Sequence, residues 1–369
     1  MLLCNKCGKK YSMNESVWQC ECSGLLDIDF KAILNFNEIK RRPPTMWRYR
    51  EAIPIENDIN IVSFNEGFTP IVDYSTSSGN VLLKLDYFFP TGSYKDRGAS
   101  VLISKANEIG VKKVIEDSSG NAGCAIAAYC AKAKIECEIY VPQDTSIAKL
   151  TQVKAYGAKL NIVNGNRLQT AQKALQDAKN TYYASHTYNP FFFQGTKTLA
   201  FEVFEQLNDS IPDYIFIPTG NGTMFIGVYL GFMDLAQNGY IDNLPKLIAI
   251  QSENCAPIFK QYKENLKAPQ KVEEKYTLAE GIAINEPIRS NQIIDIIKKT
   301  NGDVITVNEQ EIKDALIRLS LDGFYIEPTS ASALAGFLKY KPCGKSLVVL
   351  TGFGLKSNDK IQKIISEFM

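Results

Sequence analysis

Pro90-Thr91-Gly92-Ser93-Tyr94-Lys95-Asp96-Arg97-Gly98 is the stretch on which the reading of this chain turns. It follows the apolar run Val81-Leu82-Leu83-Lys84-Leu85 and places Lys95 where a turn gives way to a helix. Three further polar turns repeat the arrangement: Ser118-Ser119-Gly120-Asn121-Ala122-Gly123, Pro218-Thr219-Gly220-Asn221-Gly222-Thr223 and Leu350-Thr351-Gly352-Phe353-Gly354. Each follows a β-like run and opens a helix-like one. Short β-branched runs recur at 113–117, 136–141, 159–163, 213–217, 246–250, 303–307 and 345–350. Helix-like segments lie between most of them, at 95–109, 121–132, 166–179, 223–236, 308–320 and 329–340. Strand then helix, repeated, implies right-handed crossovers and an α/β fold of mainly parallel sheets. Ligands of such sheets bind at the carboxyl ends of the strands, where these turns fall. Two lobes explain turns spread from residue 90 to residue 354 better than one sheet does.

The turns also carry chemistry. Glycines in Gly220-Asn221-Gly222-Thr223-Met224 let the backbone approach an anion, and the following helix points free N–H groups at it. The dinucleotide fingerprint is not met: Phe225 stands at its third glycine position, and Gly352-Phe353-Gly354 fails likewise with Ser357. No Walker lysine follows a suitable glycine loop, which argues against a nucleoside triphosphate. A lysine used for imine chemistry must lose its proton near neutral pH, which desolvation and a helix amino end promote. Lys95, between Ser93 and Asp96-Arg97-Gly98, has that setting. One imine-forming amine and several helix-opening glycine turns suit a cofactor with both an aldehyde and a phosphate, pyridoxal 5'-phosphate.

A chain of 369 residues is long enough for two lobes and a small appendage. Its 41 basic and 40 acidic side chains leave a net charge of +1 without a long charged block, so nucleic acid is not expected as a partner. No apolar run approaches the roughly 20 residues of a membrane span, so no membrane partner is expected. The start, Met1-Leu2-Leu3-Cys4, lacks a signal-peptide layout, so the expected compartment is the cytoplasm. The single histidine, His186, excludes metal sites needing several histidines, and no G-x-S-x-G elbow accompanies it. It reads as a loop residue near a pocket. Of nine cysteines, Cys4, Cys7, Cys20 and Cys22 form a C-x2-C knuckle followed by a C-x-C pair. That spacing suits a structural zinc ribbon, while a reducing compartment disfavours disulfides. The other five read as reduced core residues.

The sequences 91–98, 118–123 and 220–223, with Glu327-Pro328-Thr329-Ser330-Ala331-Ser332 and Thr351-Gly352-Phe353-Gly354-Leu355-Lys356, together resemble the threonine synthase family. This is the tryptophan-synthase-β-like class, pyridoxal-phosphate fold type II, and the resemblance runs from about residue 60 to the end. It implies a homodimer of two-lobed subunits with the cofactor between the lobes, acting on a small amino acid. The expected domains are a zinc ribbon at 1–28, a large cofactor-binding domain at 29–100 and 190–369, and a small domain at 101–189. Lys95 would hold the cofactor as an imine and act catalytically. Asn121 would contact the ring oxygen, Gly220, Asn221, Gly222, Thr223 and Met224 would cradle the phosphate, and Thr351 would face the ring nitrogen. Ser119, Gly120 and Asn121 would lie against the substrate carboxylate.

Two departures bear on the substrate. Where the family often reads Asn-Ser-x-Asn-Pro-x-Arg, this chain reads His186-Thr187-Tyr188-Asn189-Pro190-Phe191-Phe192, with Phe192 at the arginine position. Arginine suits bidentate binding of a substrate phosphate; Lys149, Lys154, Lys197 and Arg289 are the candidates to replace it. In the last turn Phe353 stands where many synthases carry histidine or asparagine. The stretch Thr277-Leu278-Ala279-Glu280-Gly281-Ile282-Ala283 is closer to threonine/serine dehydratases. The expected activity is conversion of O-phosphohomoserine and water to L-threonine and phosphate. The alternative is a dehydratase, or another β-eliminating or β-replacing enzyme on a small amino acid.

Overall fold

Two largely parallel sheets organise the chain in a computed structural model that describes residues 1–145, 147–273 and 275–368, with the backbone alone for 147–149. The chain divides into two compact units, residues 1–67 with 95–196 and residues 68–94 with 197–369. Among the described residues no helix is long and apolar enough to cross a membrane.

The second unit is built on a six-stranded sheet. Its order is Asp303–Val307, Lys246–Ser252, Tyr214–Pro218, Ser346–Val349, Gly79–Lys84 and Ile71–Thr76. The first five strands run parallel, and their apolar runs are buried on both faces, as crossover helices require. Ile71–Thr76 alone is antiparallel, folded back on Gly79–Lys84 through a hairpin. It covers that side as a short edge strand with polar positions.

The first unit carries a four-stranded parallel sheet in the order Lys159–Val163, Glu136–Pro142, Lys113–Glu116, Tyr182–Tyr183. Its amino-terminal ribbon is a small antiparallel sheet, with Leu2–Cys4 between Lys10–Tyr11 and Leu26–Ile28. Leu2, Cys4, Tyr11, Cys20 and Leu26 join the same buried cluster as Ala125, Ile126 and Tyr129 of the Asn121–Ala133 helix. The Trp18 indole N–H donates to the Ala178 carbonyl at 3.2 Å. The ribbon is therefore part of the first unit's core.

The expected small domain begins at 101, whereas the first unit takes in the whole Lys95–Glu108 helix. Every residue of that helix from Asp96 to Ala106 is buried. Its contact with the short Phe191–Thr196 helix is made at two glycines. A Cβ on Gly98 would come within 2.3 Å of the Phe192 ring, and one on Gly195 within 1.9 Å of the Arg97 carbonyl. A helix covered on all sides cannot be divided between two cores.

One buried ion pair fixes the entry to the second unit. Lys84 Nζ donates to Glu202 Oε2 and to Gln206 Oε1, both at 2.8 Å, and to the Thr69 carbonyl. Glu202 also accepts the backbone N–H groups of Phe68 and Thr69, and both charged side chains are fully buried. The attraction of such a pair is largely offset by desolvation, but removing one partner leaves the other charge stranded. Glu202→Ala is expected to lower unfolding stability by about 3–5 kcal/mol, read from urea denaturation; a loss below about 1 kcal/mol would mean that Lys84 finds another partner.

Candidate active site

The sheet order of the second unit brings three sequence-distant turns to one edge. Tyr214–Pro218, Ser346–Val349 and Gly79–Lys84 are consecutive parallel neighbours, so the segments leaving their carboxyl ends emerge side by side. These are the Thr219–Gly222 turn, the Leu350–Phe353 turn and the run that ends at Tyr94. Tyr94 joins two of them: its hydroxyl lies 2.9 Å from Thr223 Oγ1, and its N–H donates to the Thr351 carbonyl at 3.1 Å.

The Thr219–Gly222 turn is shaped for an anion. Gly222 is the N-cap of the Thr223–Gln237 helix at φ 76°, and no side chain caps that helix. Its first N–H groups therefore point outward along the helix dipole. A Cβ on Gly222 would meet Ile293 at 2.4 Å, so glycine is required by both conformation and space. The Thr351 hydroxyl is nearly buried, and Gly352 pairs with Ser93 across the edge. Thr351 Oγ1 is 3.2 Å from the Ser330 hydroxyl.

The first unit presents its own carboxyl edge. Lys113–Glu116 leads into the Ser118-Ser119-Gly120 turn, and Gly120 is the N-cap of the Asn121–Ala133 helix, again without a side-chain cap. Ser119 and Asn121 are half-buried and Gly120 is exposed. A Cβ on Gly123 would lie 1.8 Å from the Ser118 carbonyl, so that glycine closes the turn tightly. Lys95 opens its helix half-buried, with Nζ 5.6 Å from the centre of the Phe192 ring.

The aromatic trio is core. Phe191, Phe192 and Phe193 are buried, and Phe192 packs on Gly98. Three of the proposed arginine substitutes can be followed. Lys197 is buried against Asp234 at 2.8 Å, the Arg289 guanidinium donates to Gln292 Oε1 at 3.0 Å, and Lys154 is exposed. The Lys149 side chain lies outside the described residues.

His186 is in a loop, as expected, but it is buried and pairs with a residue that its own surroundings in sequence do not announce. Its Nδ1 lies 2.9 Å from Oε1 of Glu116, at the end of the neighbouring strand. Oε2 of Glu116 has no hydrogen-bond partner among the described residues. Burial, with Asp117 adding to it and Lys95 opposing, holds the Glu116 carboxyl well above the usual carboxylate range. Burial, with Lys95 and Arg167, holds His186 well below its usual value. Both shifts disfavour charge.

The four amino-terminal cysteines come together, with all four sulfurs within 4.8 Å of one another. Contacts of 3.4 to 3.6 Å link Cys4 to Cys22, Cys7 to Cys20, and Cys22 to Cys7. None is in a disulfide. The Lys6 N–H and the Tyr11 hydroxyl donate to Cys4 and Cys20 sulfurs, and a Cβ on Gly24 would sit 2.5 Å from Cys4 Sγ. Four converging thiols with N–H and O–H donors around them fit a closed tetrahedral thiolate centre.

The family described as "Pyridoxal-phosphate dependent enzyme" matches residues 62–352, which defines the class. The threonine synthase of Methanocaldococcus jannaschii is 34% identical over 96% of this chain and 93% of its own. That of Methanosarcina acetivorans is 33% identical over 93% of this chain and 87% of its own. The processed threonine deaminase isoform 2 of Solanum lycopersicum shares the fold, with a TM-score of 0.71 at 20% identity over 92% of this chain and 91% of its own. The chain belongs to the pyridoxal-phosphate dependent enzymes and, within them, to the threonine synthase family.

The Glu116 environment gives a signed pH dependence. A carboxyl whose folded value is raised keeps its proton where the unfolded chain loses it, from about pH 4.3 upward. Its contribution to stability is therefore complete in acid and is lost as pH rises toward the folded value. Glu116→Gln, which cannot ionise, is expected to gain stability relative to the unmodified chain between acid and neutral pH in urea titrations. Parallel pH profiles for the two proteins would refute an ionisable Glu116 held neutral by burial.

Proposed function

We propose that this chain is a threonine synthase, converting O-phosphohomoserine and water to L-threonine and phosphate. Its similarity to the M. jannaschii enzyme at 34% identity over nearly the whole of both chains carries this reading. Each unit has an uncapped helix start, at Gly120 in the first and at Gly222 in the second, and each fits an anionic group.

When bound, pyridoxal phosphate supplies an aldehyde that condenses with amines and a ring that accepts electrons. Lys95 would hold it covalently, Gly220, Asn221, Gly222, Thr223 and Met224 would take its phosphate through backbone N–H groups, and Asn121 would meet the ring oxygen. Thr351 would face the ring nitrogen. Ser119, Gly120 and Asn121 orient the substrate carboxylate. The Lys95 amine, once displaced by substrate, moves protons at the substrate carbons. A neutral hydroxyl at Thr351, rather than a carboxylate, limits the electron demand at the ring and favours elimination and replacement on the side chain.

Cys4, Cys7, Cys20 and Cys22 would bind one structural zinc, leaving no open position and so no catalytic role. The assignment includes a cytoplasmic homodimer. A second reading, dehydration of threonine or serine, is favoured by one observation: buried Phe192 stands where a phosphate-binding arginine is expected.

Product analysis separates the readings. Threonine and phosphate from O-phosphohomoserine are expected, with Lys95→Ala reducing turnover to background. 2-Oxobutyrate and ammonia from L-threonine, with little product from O-phosphohomoserine, would establish the dehydratase instead. For the ribbon, elemental analysis is expected to find one zinc per chain, lost in a Cys4→Ser, Cys7→Ser variant that still binds pyridoxal phosphate. Metal content unchanged by those substitutions would remove the zinc site.

A further inference from the structure

Ser330, in the Pro328–Tyr340 helix, is fully buried. Its hydroxyl oxygen is within hydrogen-bond distance of four atoms of the neighbouring turn: Thr351 N at 2.9 Å, Gly352 N at 2.8 Å, and Thr351 Oγ1 and the Gly352 carbonyl, each at 3.2 Å. A hydroxyl has one proton and two lone pairs. The two backbone N–H groups can only donate, so they occupy both lone pairs of Ser330 Oγ. Its proton then goes to Thr351 Oγ1 or to the Gly352 carbonyl. In neither arrangement can Thr351 donate to Ser330.

That has a consequence for Thr351. Ser330 is the only hydrogen-bond partner of Thr351 Oγ1 among the described residues. A nearly buried hydroxyl needs an acceptor for its proton. On its own, a threonine could accept from a protonated ring nitrogen as readily as it donates to a bare one. With Ser330 in place its proton is directed away from the turn.

We propose that Ser330 is a positioning residue that fixes Thr351 as a hydrogen-bond donor toward the cofactor's ring nitrogen and so keeps that nitrogen unprotonated. This rests on the placement of Thr351 at the ring nitrogen given above. A protonated nitrogen would set donor against donor in a buried site, which is unfavourable. The helix start at Glu327-Pro328 thus sets the cofactor's electronic state without touching the cofactor.

The test uses holoenzyme loaded with pyridoxal phosphate labelled at the ring nitrogen, reading the NMR shift of that nitrogen and, alongside it, thermal unfolding. Thr351→Val is expected to move the shift, Ser330→Ala to move it in the same direction, and Ser330→Thr to restore it. Cofactor affinity in Ser330→Ala is expected to fall about threefold to tenfold, the loss of one directed hydrogen bond. An unmoved shift in Ser330→Ala, with a moved one in Thr351→Val, would reduce Ser330 to a structural role. An unmoved shift in Thr351→Val would remove Thr351 from the ring nitrogen and overturn the proposal with it. Should Ser330→Ala not fold, Ser330→Cys offers a similar side chain with a weaker donor; a wild-type shift there overturns the proposal, and a displaced one supports it.

Discussion

The backbone of the Thr351–Phe353 turn must be satisfied in a place where water is excluded, and the carboxyl edge of the large sheet is arranged around that need. Its polar groups are claimed from several directions. Tyr94 donates to the Thr351 carbonyl, the Phe353 N–H donates to Gly92, and the Glu327 N–H donates to the Gly352 carbonyl. Ser330 takes the two N–H groups that remain. A Cβ on Gly352 would lie 2.0 Å from the Glu327 carboxylate, which would have to move to admit it. Because the partners come from residues 92–94 and 327–330, the segment that delivers Lys95 and the helix after Glu327 are held to one turn by hydrogen bonds that the interior cannot leave unmade.

Much of this architecture is legible in the sequence because its cause is local. The runs at 113–117, 136–141, 159–163, 213–217, 246–250, 303–307 and 345–350 become parallel strands within a residue or two at each end. Most are β-branched and buried on both faces, so pattern and environment agree; Lys159–Val163, at the edge of its sheet, is the partly exposed exception. Ile71–Thr76 is not among those runs, although Ser77-Ser78-Gly79-Asn80 gives it a turn signal and it pairs antiparallel with Gly79–Lys84. The placement of the Lys95–Glu108 helix was not legible either. Asp96 and Arg97, two charged residues at a helix start, are fully buried, with the Phe191–Thr196 helix packed against Arg97 and Gly98. Roles that arise only through tertiary contact were missed for the same reason. Glu116 looks like the end of a strand until His186 is folded against it, and Ser330 is one hydroxyl among several in Thr329-Ser330-Ala331-Ser332 until its four neighbours are known.

Phe192 shows what its position can and cannot do. Its ring fills the space above Gly98, so an arginine there would have to leave that space or bring a charge into a core. Lys197 is no simple replacement. Burial lowers its pKa, with Asp234 opposing, and the ammonium is already engaged by that carboxylate. Arg289 is buried and donates to Gln292. Lys197 and Arg289 are thus both engaged inside the second unit, while Lys154 is exposed.

The Glu116–His186 pair bears on the electrostatics of the first unit. Glu116 and Asp117 are adjacent acids at the end of the strand leading into the Ser118–Gly120 turn. Were Glu116 ionised, its buried charge would act against any anionic substrate group brought near Lys95, with little solvent to screen it. Burial raises its pKa and so disfavours that charge, while His186, whose cation burial also disfavours, lies within hydrogen-bond distance of it. The pair is a buried polar contact in which burial disfavours charge on either partner. Lys95 bears on both partners, with Asp117 acting on Glu116 and Arg167 on His186.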